Sequence, residues 1–301
     1  MRHFLSLADL TPADLRALLD AAIAMKAARA GLPKGALDPE PSLPGRTLAA
    51  IFEKNSTRTR FSFEQAMRQA GGSIITVNAS DMQLGRGEPV RDTARVLSRY
   101  VDAVMLRVNR HETLTEFAEW AEVPVVNGLS DFNHPCQIVA DLLTLEERGI
   151  TLAGARIAWV GDGNNVARSF LHAAPLAGFT LAISSPDAYS LSGQELGAAG
   201  ASVEVADTPE ACVEAADAVV TDCWVSMGDE DYDERVRALT PYRVTETLMS
   251  RAKADAPFLH CLPAYRDKEV EATVIEGEAS VVWDEAENRL HAQKAVLSFL
   301  L

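Results

Sequence analysis

The sequence has few cysteines, a deficit of positive charge and no long apolar run. Its four cysteines among 301 residues are widely spaced, and none forms a CxxC pair of the kind that builds zinc or redox sites, so we expect reduced thiols and no metal. No segment reaches the roughly 18 consecutive apolar residues of a membrane-spanning helix, which argues against a membrane protein. Lysine and arginine number 28 against 43 aspartates and glutamates, and the net charge of -15 argues against nucleic acid as a partner.

The first residues also lack a secretory signal, because Asp9 and Asp14 interrupt the apolar positions and no small-residue cleavage site follows. We therefore expect a cytoplasmic protein. Hydrophobic residues make up 48% and charged residues 24%, proportions typical of a globular chain. The length suggests two domains or one large domain.

Short β-branched segments alternate with segments of helical periodicity, which is the pattern of βαβ units. Strands are predicted at 46–52, 73–77, 103–108, 123–126, 156–160, 180–184, 203–206, 218–222, 257–262 and 280–283. This order predicts two doubly wound α/β domains, each with a mainly parallel sheet flanked by helices. A helical pattern ends at Gly149, so we place the domains at 1–149 and 150–284. The amphipathic segment 285–301 follows as a C-terminal helix, which we expect to pack back on the first domain.

The most informative segment is 52–60, Phe-Glu-Lys-Asn-Ser-Thr-Arg-Thr-Arg, which follows a predicted buried strand and opens a helix. A helix N-terminus offers unpaired backbone N–H groups, and the hydroxyl and guanidinium groups of this segment add donors suited to a phosphate. An ordinary serine or threonine cap beside two exposed arginines explains the same residues equally well. By itself the segment leaves an anion site and a capped helix as alternatives.

Three further segments follow in order: 134–137 (His-Pro-Cys-Gln), 222–228 (Asp-Cys-Trp-Val-Ser-Met-Gly) and 260–263 (His-Cys-Leu-Pro). Together with 56–60 they resemble motifs of the aspartate and ornithine carbamoyltransferase family. The first two motifs in the chain are similar to its carbamoyl phosphate and His-Pro-x-Gln motifs, and the last two resemble its ornithine branch. The similarity runs in register from near the N-terminus to the final helix.

This resemblance implies roles for individual residues. Carbamoyl phosphate would be bound by Ser56, Thr57, Arg58, Thr59, Gln83, Arg107, His134, Gln137, Cys261, Leu262 and Arg289. Ornithine would be bound at its α-amino group by Asp222 and Ser226, and at its α-carboxylate by Asn165 and the Met227 backbone. The implied reaction carries the carbamoyl group to the side-chain amine of L-ornithine and gives L-citrulline and phosphate, with no metal or organic cofactor. Its catalytic residues would be Arg107, His134, Asp222 and Cys261.

The acceptor amine must lose a proton before it reacts, because an alkylamine has a pKa near 10.4, about three units above neutral pH. Asp222 and Cys261 could each accept or relay that proton, and the sequence leaves the choice open. The segment 226–231 is acidic, which favours ornithine over aspartate as the acceptor. Putrescine or another amine stays an alternative acceptor.

A competing interpretation comes from residues 160–167 (Val-Gly-Asp-Gly-Asn-Asn-Val-Ala), which half match a dinucleotide-binding fingerprint. Val166 stands at the third glycine position, and the candidate ribose-binding Asp187 comes late and follows Pro186. A nicotinamide-dependent oxidoreductase is therefore the alternative from another class, and a non-catalytic anion-binding protein is a second. A dehydrogenase does not require segments 56–60 and 134–137 together. A protein that only binds an anion does not require Asp222 with Cys261.

The segment 78–90 contains two glycines and a proline and is predicted to be a projecting loop. Its position resembles the loop that, in this family, reaches the carbamoyl phosphate site of a neighbouring subunit, and Gln83 matches the residue that contacts the phosphate there. A plain surface loop is the alternative. The resemblance thus implies a homotrimer with shared active sites.

Overall fold

The computed structural model describes residues 2–84, 87–225 and 232–301. The strands are β1 Thr47–Phe52, β2 Ser73–Asn78, β3 Ala103–Arg107, β4 Val125–Leu129, β5 Arg156–Val160, β6 Thr180–Ser184, β7 Val203–Val205, β8 Ala218–Val220 and β9 Phe258–Leu259. The helices are α1 Pro12–Ala27, α2 Thr57–Gln69, α3 Val90–Leu97, α4 His111–Trp120, α5 Pro135–Glu147, α6 Asn165–Ala177, α7 Gly193–Ala198, α8 Pro209–Val213, α9 Tyr232–Leu239, α10 Glu246–Met249, α11 Ala272–Ile275 and α12 Val282–Leu300. Among the described residues, no helix combines the length and apolar character needed to cross a membrane.

The first compact unit contains the chain up to Ala140 together with Glu287–Leu301. Its sheet has the order β2-β1-β3-β4, and all paired strands are parallel. From β1 the chain adds β2 on one side and β3 on the other, so the direction of winding reverses between β1 and β3. Parallel sheets bind ligands outside the carboxyl ends of the strands at such a switch point.

The second compact unit is Asp141–Ala286, with a parallel sheet in the order β7-β6-β5-β8-β9. Here the winding reverses between β5 and β8. The β5 residues Ile157 to Val160 are all fully buried, as expected for a strand covered on both faces. These two sheets confirm the expected fold class of two doubly wound, mainly parallel α/β units.

The expected return of the C-terminal helix is confirmed within the first unit. The buried Lys294 Nζ of α12 donates hydrogen bonds to Asp38 Oδ2 at 2.7 Å and to Gln69 Oε1 at 3.0 Å. Asp38 also pairs with the buried Arg29 at 2.5 Å. A buried carboxylate with two cations requires close pairing, because an unpaired charge in the interior is costly.

The predicted strand at 280–283 is wrong. Only Ser280 forms an isolated bridge, to Phe258, and α12 begins at Val282, earlier than the expected start of the helix at 285. The buried residues Val281 and Val282 gave the segment its strand-like composition. Asp284 and Glu285 stand in the first turn of α12, where negative charge is favourable for a helix.

The boundary between the two compact units lies after Ala140, within α5, and the predicted domain boundary at the end of the helical pattern stays a prediction. The helical pattern ending at Gly149 marks the end of α5 correctly, but one continuous helix contributes residues to both units. Periodicity reports where a helix ends and carries no information on which unit each turn belongs to.

Candidate active site

The first group of predicted site residues lies at the switch point of the first sheet, where β1 leads into α2. Ser56 is the N-cap of α2, and its hydroxyl accepts a hydrogen bond from the N–H of Thr59 at 3.2 Å. Arg60 is exposed and lies 3.6 Å from Glu64 on the helix surface. The capping interpretation therefore describes Ser56 and Arg60 correctly, whereas Arg58 is half-buried and Thr59 is buried.

Thr59 joins three other predicted residues of this unit. Its hydroxyl oxygen accepts hydrogen bonds from Arg107 at 3.3 Å and from Arg289 at 2.8 Å. The other terminal nitrogen of Arg289 donates to the side-chain oxygen of Gln137. Arg107 is the last residue of β3, so its guanidinium lies at the ligand-binding edge of the sheet. Two guanidinium groups are thereby held at one hydroxyl.

His134 immediately precedes α5, whose first residue is Pro135. Proline suits the first turn of a helix, because it has no N–H to leave unpaired. Burial, together with the positive charges of Arg289, Arg107 and Arg58, holds the pKa of His134 well below its usual range. The imidazole is therefore neutral at physiological pH and can donate one hydrogen bond without adding charge. The next thiol, Cys136, is fully buried, and burial raises its pKa to about 12.

Two other predicted phosphate contacts are exposed. Thr57 begins α2, and Gln83 lies in the segment between β2 and α3, where its carbonyl oxygen accepts a hydrogen bond from the N–H of Glu88 at 3.0 Å. Their side chains make none of the hydrogen bonds described above. Glu53 was missed by the sequence analysis: its carboxylate accepts a 2.6 Å hydrogen bond from the N–H of Asn109 and ties the end of β1 to the segment after Arg107.

The second group lies at the switch point of the second sheet. Asp222 follows β8 and Cys261 follows β9, and the thiol of Cys261 donates to Asp222 Oδ1 at 3.1 Å. Burial and the nearby charge of Asp222 raise the pKa of Cys261 well above its usual range. Cys261 is thus a neutral thiol, and it acts as a hydrogen-bond donor to the carboxylate.

The backbone following Cys261 is strained. Leu262 has a φ of +59°, in the left-handed region that favours glycine, and its N–H donates to His260 Nδ1 at 2.9 Å. Backbone in such unfavourable conformations occurs at functional sites more often than elsewhere. His260 Nε2 lies 3.3 Å from Glu269 Oε1, so both ring nitrogens are engaged within the protein.

Ligand-type atoms of Asp222, His260 and Cys261 lie within 4.8 Å of one another. A metal would need a lone pair from each of them. The Nδ1 atom of His260 already accepts from the Leu262 N–H, and its Nε2 atom faces Glu269. The group is therefore arranged as a hydrogen-bonded structure rather than as an open metal site.

Asn165 is the first residue of α6 and lies beside Asn164, the N-cap of that helix. Asn164 was missed by the sequence analysis, although its amide nitrogen donates to Asp222 Oδ2 at 2.8 Å. An asparagine directly before a predicted helix signals a cap, but nothing in the sequence signals the contact with Asp222, which lies 58 residues later. The predicted ligands Ser226 and Met227 lie outside the described residues.

The glycine-rich turn before α6 closes on the protein itself. The N–H of Gly163 donates to the carbonyl oxygen of Tyr189 at 2.7 Å. A Cβ at this position would lie only 2.6 to 2.8 Å from backbone atoms of Tyr189, Ser190 and Leu191. Glycine is needed here for close packing, and this N–H is not available to a pyrophosphate. The partial dinucleotide fingerprint thus has a structural explanation.

These features suit a group-transfer enzyme on two doubly wound α/β units, with two guanidinium groups held at one hydroxyl in the first unit and a carboxylate–thiol pair in the second. Residues 2–147 match the model of the aspartate/ornithine carbamoyltransferase carbamoyl-P binding domain, and residues 153–300 match that of the Asp/Orn binding domain. The chain belongs to the aspartate/ornithine carbamoyltransferase family.

Similar proteins cover the full length of the chain. It is 56% identical to an ornithine carbamoyltransferase of Caulobacter vibrioides, over 99% of this chain and 97% of that protein. It is 52% identical to one of Rhizorhabdus wittichii, over 100% and 98%. The solved ornithine carbamoyltransferase of Pyrococcus furiosus has a TM-score of 0.92 and 45% identity, covering 99% of this chain and 96% of that one.

Proposed function

We propose that the protein transfers the carbamoyl group of carbamoyl phosphate to the side-chain amine of L-ornithine, giving L-citrulline and phosphate. Its relatives at 52% and 56% identity carry the name of this activity over nearly their whole length. The observation that carries the proposal is the convergence of Arg107 and Arg289 on the hydroxyl of Thr59, beside the N-terminus of α2. Fixed guanidinium groups at a helix N-terminus suit a small dianion.

We assign the phosphate to Ser56, Thr57, Arg58 and Thr59, and the carbonyl oxygen to donors from Arg107 and the neutral His134. Negative charge develops on that oxygen as the amine attacks the carbonyl carbon. Donors already fixed in place stabilise this charge without reorganisation during the reaction. Gln137, held by Arg289, is assigned to the amide end. The roles of Cys261 and Leu262 toward carbamoyl phosphate stay predictions.

We assign the ornithine proton to Asp222. Holding an alkylamine uncharged at neutral pH costs about 4 kcal/mol, so a nearby proton acceptor is required. Cys261 retains its own proton because burial and Asp222 raise its pKa, and it donates that proton in a hydrogen bond to Asp222. The ammonium first gives one proton to Asp222. The neutral amine nitrogen then forms the bond to the carbonyl carbon, the carbon–oxygen bond to phosphate breaks, and the second proton of the amine leaves with the departing phosphate. Asn165, Ser226 and Met227 remain the predicted ligands of the amino acid end.

We further propose that residues 1–149 with 285–301 form the carbamoyl phosphate-binding domain and that 150–284 form the ornithine-binding domain. The family models end the first domain at 147 and begin the second at 153, which supports a boundary near 149. The compact unit that combines the chain up to Ala140 with Glu287–Leu301 supports the assignment of the last helix to the first domain. The cytoplasm is the proposed location, since both substrates are small and polar.

A homotrimer with shared sites is proposed as the working form. Phe61 on α2 is 66% exposed, and Ile75 on the edge strand β2 is 53% exposed. The two elements are tied together by a 3.0 Å hydrogen bond from Thr76 to Glu64. The exposed Gln83 follows β2 in the chain and is free to complete a site on another subunit. Burial of both apolar side chains in an interface would be favourable.

The assay that tests the proposal compares acceptors directly. Purified protein is mixed with carbamoyl phosphate and ornithine, putrescine, aspartate or acetylornithine, and phosphate and the carbamoylated product are both measured. We expect citrulline with ornithine at a rate well above the acceptor-free control. Phosphate release with putrescine and none with ornithine would contradict the proposed acceptor.

A further inference from the structure

The side chain of Asn164 makes two kinds of contact at once. Its Oδ1 atom accepts hydrogen bonds from the N–H groups of Val166 at 2.9 Å and Ala167 at 3.1 Å, which caps α6. Its Nδ2 atom donates to Asp222 Oδ2 at 2.8 Å. Backbone N–H groups can only donate, so the amide oxygen must face the helix and the amide nitrogen must face the carboxylate.

Asp222 is consequently held at both carboxylate oxygens. Oδ2 accepts from Asn164, the N-cap of α6, and Oδ1 accepts from Cys261, after β9. Asp162, a second carboxylate in the turn that contains Asn164, pairs with Arg235 at 2.6 Å. An ionised carboxylate can accept about four hydrogen bonds, so two fixed donors set its plane and leave lone pairs for a substrate.

We propose that Asn164 is a positioning residue that orients the Asp222 carboxylate toward the ammonium groups of the amino acid substrate. This inference rests on the proposed function and deepens it. A helix cap requires only the acceptor atom, and serine, aspartate and threonine supply one as well as asparagine does. Only asparagine among these also donates from its second atom, and that donor is the one that reaches Asp222.

Three substitutions separate positioning from capping. Asn164→Ser keeps a cap acceptor and removes the donor, whereas Asn164→Asp keeps the cap and the shape but places a second carboxylate against Asp222. Asn164→Ala removes both contacts. Thr208→Ala is the matched control, because the Thr208 hydroxyl caps α8 of the same unit through a 3.2 Å hydrogen bond from Ala211. Each protein is measured for thermal unfolding, for carbamoyl phosphate binding by calorimetry and for kcat and KM with ornithine.

We expect Asn164→Ser to unfold near the parental temperature, to bind carbamoyl phosphate as the parent does, and to lose roughly tenfold to hundredfold in kcat/KM for ornithine. Asn164→Asp is closer in shape to asparagine, but we expect it to lower kcat/KM for ornithine more than Asn164→Ser does. Its added carboxylate should raise the pKa of Asp222, so the acidic limb of its pH profile should move upward by about one unit. A role limited to capping predicts parental kinetics for both. Parental kcat/KM for ornithine in Asn164→Ser would overturn the proposal.

A spectroscopic measurement separates this inference from the proposed function. The infrared S–H stretch of Cys261, assigned by its loss in Cys261→Ala, reports the hydrogen bond to Asp222. Asn164→Ser should shift this band because the carboxylate changes orientation, and Thr208→Ala should leave it in place. If the unmodified protein forms no citrulline, the proposed function fails; a shifted band then still supports orientation of Asp222 by Asn164, and an unshifted band refutes it.

Discussion

The guanidinium of Arg289 lies 2.8 Å from the hydroxyl of Thr59, a residue 230 positions earlier in the sequence. The same hydroxyl accepts from Arg107 at 3.3 Å. One buried threonine therefore sets the separation of two cationic groups from different parts of the chain. The arrangement fixes the donors before any ligand arrives, which lowers the ordering cost of binding an anion.

Substitution of Thr59 tests this arrangement. Thr59→Val removes the shared acceptor with little change in shape, and we expect the affinity for carbamoyl phosphate to fall about tenfold to hundredfold, since hydrogen bonds to charged groups contribute about 1.5 to 3 kcal/mol. Thr59→Ser retains the hydroxyl and is the control. Calorimetric titration of both variants provides the comparison, and equal affinities in the two would contradict the role of the hydroxyl.

The two switch points should respond differently to substitution. Arg58→Lys keeps the charge but loses the forked donor geometry, so carbamoyl phosphate should bind more weakly while the fold is retained. Asp222→Asn should leave that binding unchanged and should lower turnover and ornithine affinity. Calorimetry without ornithine, followed by steady-state kinetics, distinguishes the two effects. A matching loss of carbamoyl phosphate affinity in both variants would disprove the separation of roles.

Alkylation measures the coupling between Asp222 and Cys261. The pKa of Cys261 is raised first by burial and then by Asp222, so the unmodified thiol should react slowly with iodoacetamide at neutral pH. Asp222→Asn removes the negative charge and should accelerate the reaction several-fold. Mass spectrometry of the peptides gives the rate at each thiol. Cys212 is the internal control, because burial is the largest cause that raises its pKa and Asp222 is not among the causes.

The stability of the protein should fall with acid because of His291 on α12. Burial and the positive charges of Lys294, Lys26 and Arg29 lower the pKa of His291 from 6.5 to about 3. The unfolded chain therefore binds a proton at a pH where the folded protein does not, so stability that is present above pH 6.5 is lost as the pH falls toward 3.

Replacement of His291 by glutamine removes this titration. Between pH 7 and pH 5 the free energy of unfolding of the parent should fall by about 2 kcal/mol more than that of His291→Gln. Chemical denaturation at several pH values in this range gives the change of the unfolding free energy with pH for each protein. Parallel slopes for the two proteins would show that His291 is protonated equally in the folded and unfolded states.

Mixed subunits test the shared site. Gln83→Ala and Arg58→Ala proteins should each be nearly inactive alone, but a mixed and reassembled trimer contains sites with Gln83 from one subunit and Arg58 from another, so part of the activity should return. Sizing chromatography first establishes the oligomer. A monomer, or verified mixed trimers without recovered activity, would rule out sharing and leave the other site assignments unaffected.

Much of the fold follows from local pattern, since β5 and β6 occupy the predicted residues 156–160 and 180–184. Residues 53–60, 222–225 and 260–263 follow β1, β8 and β9, and parallel βαβ units place such strand ends on one edge of a sheet. The strand prediction at 280–283 was wrong because the buried Val281 and Val282 stand at the start of a helix. Composition alone does not distinguish a strand from the start of a helix over so short a segment.

The site was predictable where the residues have a distinctive motif and not where their role depends on a distant partner. Asn164 resembles any helix cap until Asp222, 58 residues later, is known to lie beside it. Gly163 resembled a nucleotide-binding glycine because the sequence identifies a residue without a side chain but not what packs against it. In the structure, the backbone of Tyr189 occupies the space that a Cβ would need. Contacts of this kind are set by the register of strands far apart in the chain.

The first compact unit is discontinuous, and this has a consequence during synthesis. Ribosomes add roughly 5 to 20 residues per second, so on the order of ten seconds or more separates the emergence of Thr59 from that of Arg289. For that interval Asp38 and Arg29 are also without Lys294, which completes their buried charge cluster. A nascent chain thus passes through a stage in which its first sheet can form while Thr59 and Asp38 still lack their partners from the last helix. Newly made protein completes the proposed carbamoyl phosphate site only when translation is almost finished.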